Sequence, residues 1–281
     1  MRKLLRADLV RMRKTKVFWY GMILLAGLSV WMFLDYYFHA VKYEFPVRKG
    51  FAESIFESMV FIGILISACS SLFTGTEYDD GTIRNKLMIG QARVRVYLAD
   101  WLSCLAASII QAGAAVFAVF VTGFLLAGLP DMEALHFFKV CLVLLFVCTS
   151  YLSIFHMISM LVTNKSHSVI ANVLLAFVFL IAASMIAQYL NAPEMITEYR
   201  MTNNGAGQIV SNIPNPNYVT GTKRAVYQFL NDFLPGGQIM QISVFSSQQK
   251  MHTGLLCLYS SIITIGTNII GMILFQRKDI K

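Results

Sequence analysis

Residues 73–97 place three acids, Glu77, Asp79 and Asp80, ahead of four bases, Arg84, Lys86, Arg93 and Arg95, between two long apolar runs. Acids followed by bases at this spacing suit ion pairing and docking rather than bond-breaking chemistry. Gly81 permits a sharp turn, Asp80 or Thr82 can cap a helix that follows it, and Gly90 can end that helix. Ile83 and Leu87 then share a face able to fill a groove, with Arg84 and Lys86 placed to pair with acids on a partner. The predicted object is an elbow with a short helix over 83–89. A solvated loop with no partner is the alternative.

Catalytic patterns are missing elsewhere. The chain has no Gly-x-Ser-x-Gly elbow, no His-Glu-x-x-His and no Gly-x-x-x-x-Gly-Lys-Ser/Thr phosphate loop. Leu234-Pro-Gly-Gly-Gln238 imitates a Leu-Ser-Gly-Gly-Gln signature, but with no phosphate loop to serve it we read it as chance. Ser153 and His156 are the nearest nucleophile and base, three apart on one helix without a supporting motif. His156 has no second ligand at metal spacing. No catalytic, cofactor or metal site is expected, and any energy source must lie on another polypeptide.

The elements that position the charged stretch are apolar. Of 281 residues, 57% are hydrophobic and 14% charged, against about 25% charged in soluble domains. That deficit points to a protein that crosses the membrane several times. The net charge of +8 sits at the ends of apolar runs, not in a basic patch interleaved with aromatics, which excludes nucleic acid as the expected partner. Cys69, Cys104, Cys141, Cys148 and Cys257 all lie inside apolar runs with no Cys-x-x-Cys pair, so they read as packing residues.

The pattern predicts a single domain, 1–281, with spans near 17–36, 55–75, 100–128, 137–163, 168–190 and 253–275, each long enough to cross the hydrocarbon core. The overlong third and fourth spans imply tilt, a break, or extension beyond the bilayer. Residues 1–16 hold seven bases and only Asp8 as acid. Leu5, Leu9 and Met12 share a helical face there, which suits an interfacial amphipathic helix; a basic anchor with no helix of its own is the alternative. With the N-terminus inside, inner segments carry fifteen Lys and Arg and outer segments eight, which predicts both termini in the cytoplasm.

No charge lies near a span midpoint, and Asp100 and Glu57 sit at span ends where they can reach water. That absence argues against a proton- or sodium-coupled carrier. Gln111, His156, Asn172, Gln188 and Asn268 are uncharged polar residues suited to helix–helix hydrogen bonds; Gln111 and Asn172, with Phe229 and Phe233, are the candidates for a substrate path. The outer segment 191–252 opens on Asn, Gly and Pro. It then repeats Val226, Phe229, Leu230 and Phe233 at helical spacing, breaks at Pro235-Gly236-Gly237, and can resume over 238–245. Two short helices around that bend suit a re-entrant hairpin, or a hairpin lying on the surface.

Thr-Gly-Thr-Glu-Tyr-Asp-Asp-Gly-Thr-Ile-Arg-Asn-Lys-Leu, followed by Arg93 and Tyr97 and set between spans two and three of six, resembles the type-2 ABC transporter permeases. The basic N-terminal helix, the paired short helices before the last span, and the ending Phe275-Gln-Arg-Lys-Asp-Ile-Lys281 agree with that family. Segment 214–238 resembles a subgroup from Gram-positive bacteria. The resemblance implies an all-α membrane protein with a cytoplasmic coupling helix within 77–90, carried by Glu77, Tyr78, Gly81, Thr82, Ile83, Arg84, Lys86 and Leu87. It implies a bacterial plasma-membrane location, pairing with a second permease, and two cytoplasmic ATPase subunits that bind ATP and Mg.

The expected function is export of an amphipathic or hydrophobic cargo, such as a peptide antibiotic, a drug or a lipid, with peptide resistance preferred. A non-transporting sensor or immunity protein that binds its ligand through 191–252 is the rival, and an intramembrane enzyme a further one.

Overall fold

A computed structural model describes residues 2–201, 207–243 and 251–279. Its elements are α1 (Arg2–Lys14), α2 (Lys16–Lys42), α3 (Val47–Ser54), a 3-10 turn (Glu57–Phe61), α4 (Ile62–Asp79), α5 (Thr82–Met88), α6 (Arg93–Ala127), α7 (Ala134–Leu161), α8 (Lys165–Leu190), the strands β1 (Met195–Met201) and β2 (Gly207–Pro214), α9 (Gly221–Phe233), α10 (Pro235–Ser243) and α11 (Thr253–Arg277). Six of these stretches are long and apolar enough to cross a membrane: α2, the run Val47–Asp79, α6, α7, α8 and α11. The chain is therefore an all-α membrane protein with six candidate spans, as its apolar runs require.

The helices outrun the apolar stretches that announce them. A bilayer selects only the residues it covers, while a helix continues as long as its backbone bonds do. The third span shows this best. Its 35 residues form one unbroken helix, α6, about 52 Å long against a hydrocarbon core of about 30 Å. The helix is unbroken, so its excess length is met by tilt or by extension beyond the bilayer, with Arg93 and Arg95 at its head. The second span begins eight residues earlier than expected, through α3 and the 3-10 turn. The turn between Asn164 and α8 is closed by Asn164, whose side chain accepts from the His167 backbone N–H at 3.1 Å, as a helix cap should.

The second and fourth spans form the centre: 61% and 56% of their most apolar windows are buried, against 17% for the fifth span. Helix α4 packs on α7 and α8, α7 on α11, and α2 on α6. The core is built from Leu25, Phe33, Phe51, Phe56, Ile62, Ile66, Val147 and Phe155. Buried side-chain hydrogen bonds stitch the helices. Ser29 and Ser58 hydroxyls meet at 2.5 Å. Asn268 donates to Ser153 at 2.9 Å, and Ser260 donates to Gln238 Oε1 at 2.5 Å.

Two features of the segment before the last span differ from the sequence expectation. Strands β1 and β2 pair antiparallel from Met195↔Pro214 to Met201↔Gly207, with an irregularity at Glu198/Tyr199, where only loop was expected. In addition, the expected break falls at Leu234, one residue early, and Pro235-Gly-Gly already belongs to the second helix. Leu234 is extended (φ −75°, ψ 136°), as a residue before proline prefers, and Pro235 then begins α10 at a position where its missing N–H costs nothing.

The two glycines serve close approach. A Cβ on Gly236 would lie 2.6 Å from the Phe179 carbonyl oxygen of α8, and one on Gly237 would lie 2.3 Å from the Asn231 carbonyl oxygen of α9. Backbone cannot move aside as a side chain can, so Gly236→Ala is expected to destabilise the protein by about 1–3 kcal/mol, read as a lower melting temperature in detergent. Gly113→Ala, inside α6 with nothing within 4 Å of the new Cβ, is the control and should leave melting the same or slightly higher.

Candidate functional site

Helix α4 carries Glu77 and Tyr78 in its last turn, ending at Asp79. The chain then reverses through Gly81, whose φ of 64° lies in the left-handed region that glycine adopts without penalty. Gly81 occupies the position before α5 with no side-chain cap bond, so neither Asp80 nor Thr82 caps the helix as expected. At the far end Gly90 has φ 88°, its N–H meets the Leu87 carbonyl at 2.9 Å, and the Gln91 N–H meets that of Lys86 at 3.2 Å. These paired bonds satisfy the last free carbonyls of the helix.

Helix α5 is bolted to the bundle by Ile83. This side chain is fully buried among Tyr97, Met160 and Phe275, with Tyr78 and Leu87 packed alongside. Ile83 therefore fills a pocket of its own chain, not a groove on a partner. An isolated seven-residue helix is too short to persist in water, so its first apolar residue is used to hold it in place.

Lys86 is likewise engaged within the chain. Its Nζ donates to Asp8 Oδ1 at 2.7 Å and to both Glu77 oxygens at 2.9 Å. Burial by itself would lower the Lys86 ammonium, but Glu77 and Asp8 more than offset this and hold it above the ordinary lysine range. Arg11 of α1 completes the junction. One guanidinium nitrogen reaches Glu77 Oε1 at 3.3 Å and Thr82 Oγ1 at 2.8 Å, and the other reaches Asp80 Oδ2 at 2.6 Å. Glu77 has no exposed side-chain surface and Lys86 only 10%. Two cations thus cross-link α1, the end of α4 and α5 around one buried carboxylate.

A second polar group lies deeper, where α4, α6 and α7 meet. Thr74 Oγ1 donates to Asp100 Oδ2 at 2.7 Å, and His156 Nδ1 stands 3.5 Å from the same oxygen. His156 Nε2 faces the Tyr97 carbonyl at 3.3 Å, so that nitrogen is assigned the N–H. Cys104 sits one turn beyond Asp100, and ligand-type atoms of Asp100, Cys104 and His156 lie within 4.8 Å of one another. Asp100 is fully buried and does not reach water, because α6 begins at Arg93 and carries it two turns inside. Nor is His156 isolated. The Asp100–Cys104 spacing of four was the readable signal; the third member comes from another helix.

Tyr78 hydroxyl donates to the Met160 carbonyl at 2.6 Å and accepts from Lys278 Nζ at 2.9 Å, while Arg93 donates to the carbonyls of Phe275, Gln276 and Lys278. The C-terminal end of α11 is thereby tied to the same end of the bundle as α5. Burial lowers the Lys278 ammonium to about 8, whereas an unfolded lysine titrates near 10.4. Between those values the unfolded chain binds more protons, so stability rises with pH. Melting temperature is expected to climb from about pH 8 to about pH 10 relative to Lys278→Met, which lacks the group.

The free surface of α5 is its other face: Arg84 and Asn85 are exposed, as are Met88 (67%) and Ile89 (79%). Of the residues assigned to the elbow, only Arg84 remains available to a partner without rearrangement. The assigned substrate-path residues are not brought together. Gln111 is buried and donates to the Phe18 carbonyl at 3.1 Å. Asn172 is buried and donates to Ser71, Ser159 and the Phe155 carbonyl. Both are struts between spans. Phe229 and Phe233 stack on each other at 5.5 Å against Tyr259, on α9.

Six apolar helices and an ion-paired elbow define the class: a multi-pass membrane protein. The chain matches the family described as "ABC-2 family transporter protein" over residues 7–280, nearly its whole length, and it belongs to that family. It is thus a permease subunit of an ABC transporter, and an ABC ATPase is its separate partner. No curated protein matches the chain.

Proposed function

We propose that this permease exports an amphipathic or hydrophobic cargo, such as a peptide antibiotic, a drug or a lipid. Its energy would come from ATP and Mg held by two ATPase subunits that dock on α5. The observation that carries the coupling role is the division of α5 into two faces. Ile83 and Lys86 fix it to α4 and α1, while Arg84, Asn85, Met88 and Ile89 remain uncovered. A short helix so held passes on a push instead of absorbing it. With the positive-inside distribution of Lys and Arg, this end faces the cytoplasm of a bacterial plasma membrane, and a second permease copy completes the pathway.

An amphipathic cargo is supported by two cavities. One, about 480 Å³, lies at the opposite end from α5 and combines Tyr36, Met32, Phe61 and Met240 with the carboxylates Glu53 and Glu57. The other, about 440 Å³, is an apolar groove between α6 and α7 lined by Val116, Phe117, Phe137 and Leu145. The test is reconstitution of the permease with its ATPase in vesicles and measurement of ATP-dependent movement of a cationic amphipathic peptide. Movement out of the cytoplasmic face supports export. Ligand-stimulated ATPase activity without movement would favour a sensor.

A further inference from the structure

The junction at α5 uses only one face of α1. Asp8, Arg11 and Met12 turn inward, and Asp8, the one acid of the helix, is held by Lys86. Arg2, Arg6 and Arg13 lie on the other side with Leu5, Leu9 and Val10, and together these six residues line a shallow groove of about 490 Å³. None of the three guanidinium groups has a hydrogen-bond or ion-pair partner among the described residues. Arg13 contributes only its backbone carbonyl, which accepts from Trp19 Nε1 at 2.8 Å.

Leu9 and Arg13 also border a second groove, about 290 Å³, that continues along the spans past Met12, Phe18, Trp19 and Ile110. Its far wall belongs to α2 and α6, both membrane-spanning, and Trp19 and Ile110 are 43% and 52% exposed. The order is therefore three unpaired cations, then a shared Leu9–Arg13 rim, then an apolar trough running into the membrane layer. The first groove has no acid in its lining.

We propose that these joined grooves hold an anionic phospholipid, with its phosphate at the Arg13 end, its headgroup in the field of Arg6 and Arg2 beyond, and an acyl chain along Phe18, Trp19 and Ile110. Charge complementarity selects this occupant: a zwitterionic lipid offers a phosphate too, but its own cation is repelled by the three guanidinium groups and it brings no net negative charge to them. Arg11 on the same helix grips Glu77 and Asp80, so a lipid that fixes the outer face of α1 also fixes the seat of α5. Binding rests on the outer face of α1 alone. Its effect on ATP hydrolysis rests on the coupling role proposed above.

The experiment uses the full permease–ATPase complex in nanodiscs of phosphatidylcholine, with and without phosphatidylglycerol. It compares wild type with the combined variant Arg2→Gln, Arg6→Gln, Arg13→Gln. Native mass spectrometry should show phosphatidylglycerol retained by wild type through delipidation and lost by the variant. Surface cations near a membrane contribute enough that affinity should fall on the order of 100-fold. Phosphatidylglycerol should stimulate ATPase activity of wild type only. Equal retention of both lipids, or undiminished retention by the variant, overturns the site, as would an Arg6→Cys variant that cross-links to the ATPase subunit. Selective retention without any ATPase effect upholds the site and overturns the claim that the lipid acts on ATP hydrolysis through α5. Because the substituted residues are exposed and the Arg11 and Lys86 contacts stay intact, unchanged melting of the variant verifies that the loss is local.

Discussion

Glu77→Gln is expected to lower the stability of the α1–α5 junction and to uncouple transport from ATP hydrolysis. Glutamine keeps the size of the side chain but removes the charge that Lys86 and Arg11 share. Removing one partner of a buried ion pair costs about 3–5 kcal/mol. Asp8 still holds Lys86, and Asp80 and Thr82 still hold Arg11, so the expected cost here is about 2 kcal/mol. Lys86→Met reverses the problem: it leaves Asp8, already with one oxygen buried and unpartnered among the described residues, without its cation.

The double variant Glu77→Gln, Lys86→Met should therefore lose less than the two single losses combined, by about 1–3 kcal/mol. The measurement is a double-mutant cycle on detergent melting, run beside ATPase stimulation in vesicles. Additive losses would mean that the contacts exist without energetic coupling. Full transport by Glu77→Gln would remove the junction from the mechanism.

The six spans were legible because a bilayer imposes about 20 apolar residues on every crossing. What lies at their ends was less so. Asp100 begins an apolar run but not a helix, and hydropathy cannot tell these apart; α6 starts at Arg93, and Thr74 of α4 and His156 of α7 close over the carboxylate. Gly81 and Gly90 marked the bounds of α5 correctly because a reversal and a helix stop each require a special backbone state.

The faces of α5 came out inverted. Amphipathic spacing marks Ile83 as an interacting residue but cannot say with what, and a helix this short uses its apolar face on its own bundle first. Asp8 and Arg11 were missed because their partners lie 66 to 78 residues away, and nothing local encodes that distance. The lone acid in a basic helix was the one available hint. Strands β1 and β2 had a local signal in Ile196, Thr197, Ile209, Val210 and Ile213, β-branched residues that favour strands, but the polar and Pro-rich surroundings read as loop.

The inversion of α5 leads to the second large expected effect. Met88 and Ile89 project from the C-terminal end of the helix and are largely exposed, and an exposed apolar pair beside Arg84 is the composition of an interface centre. Met88→Asp with Ile89→Asp should abolish stable association with the ATPase. Loss of a central apolar anchor costs about 2 kcal/mol or more, and two new carboxylates would be desolvated on docking as well. Melting of the permease alone should stay unchanged, since surface substitutions away from packed features shift stability by about 0.5 kcal/mol or less.

Ile83→Asp is the contrasting variant. It buries a charge among Tyr97, Met160 and Phe275 and should unfold the elbow outright. Titration of purified ATPase onto the permease, followed by melting of each variant, separates the two outcomes. Undiminished binding by the Met88/Ile89 variant would show that the ATPase does not read this face. If the proposed coupling holds, the Glu77 and Met88/Ile89 variants divide it into two steps: the first weakens the link between α5 and the spans while leaving the exposed face in place, and the second alters that face while leaving the link intact.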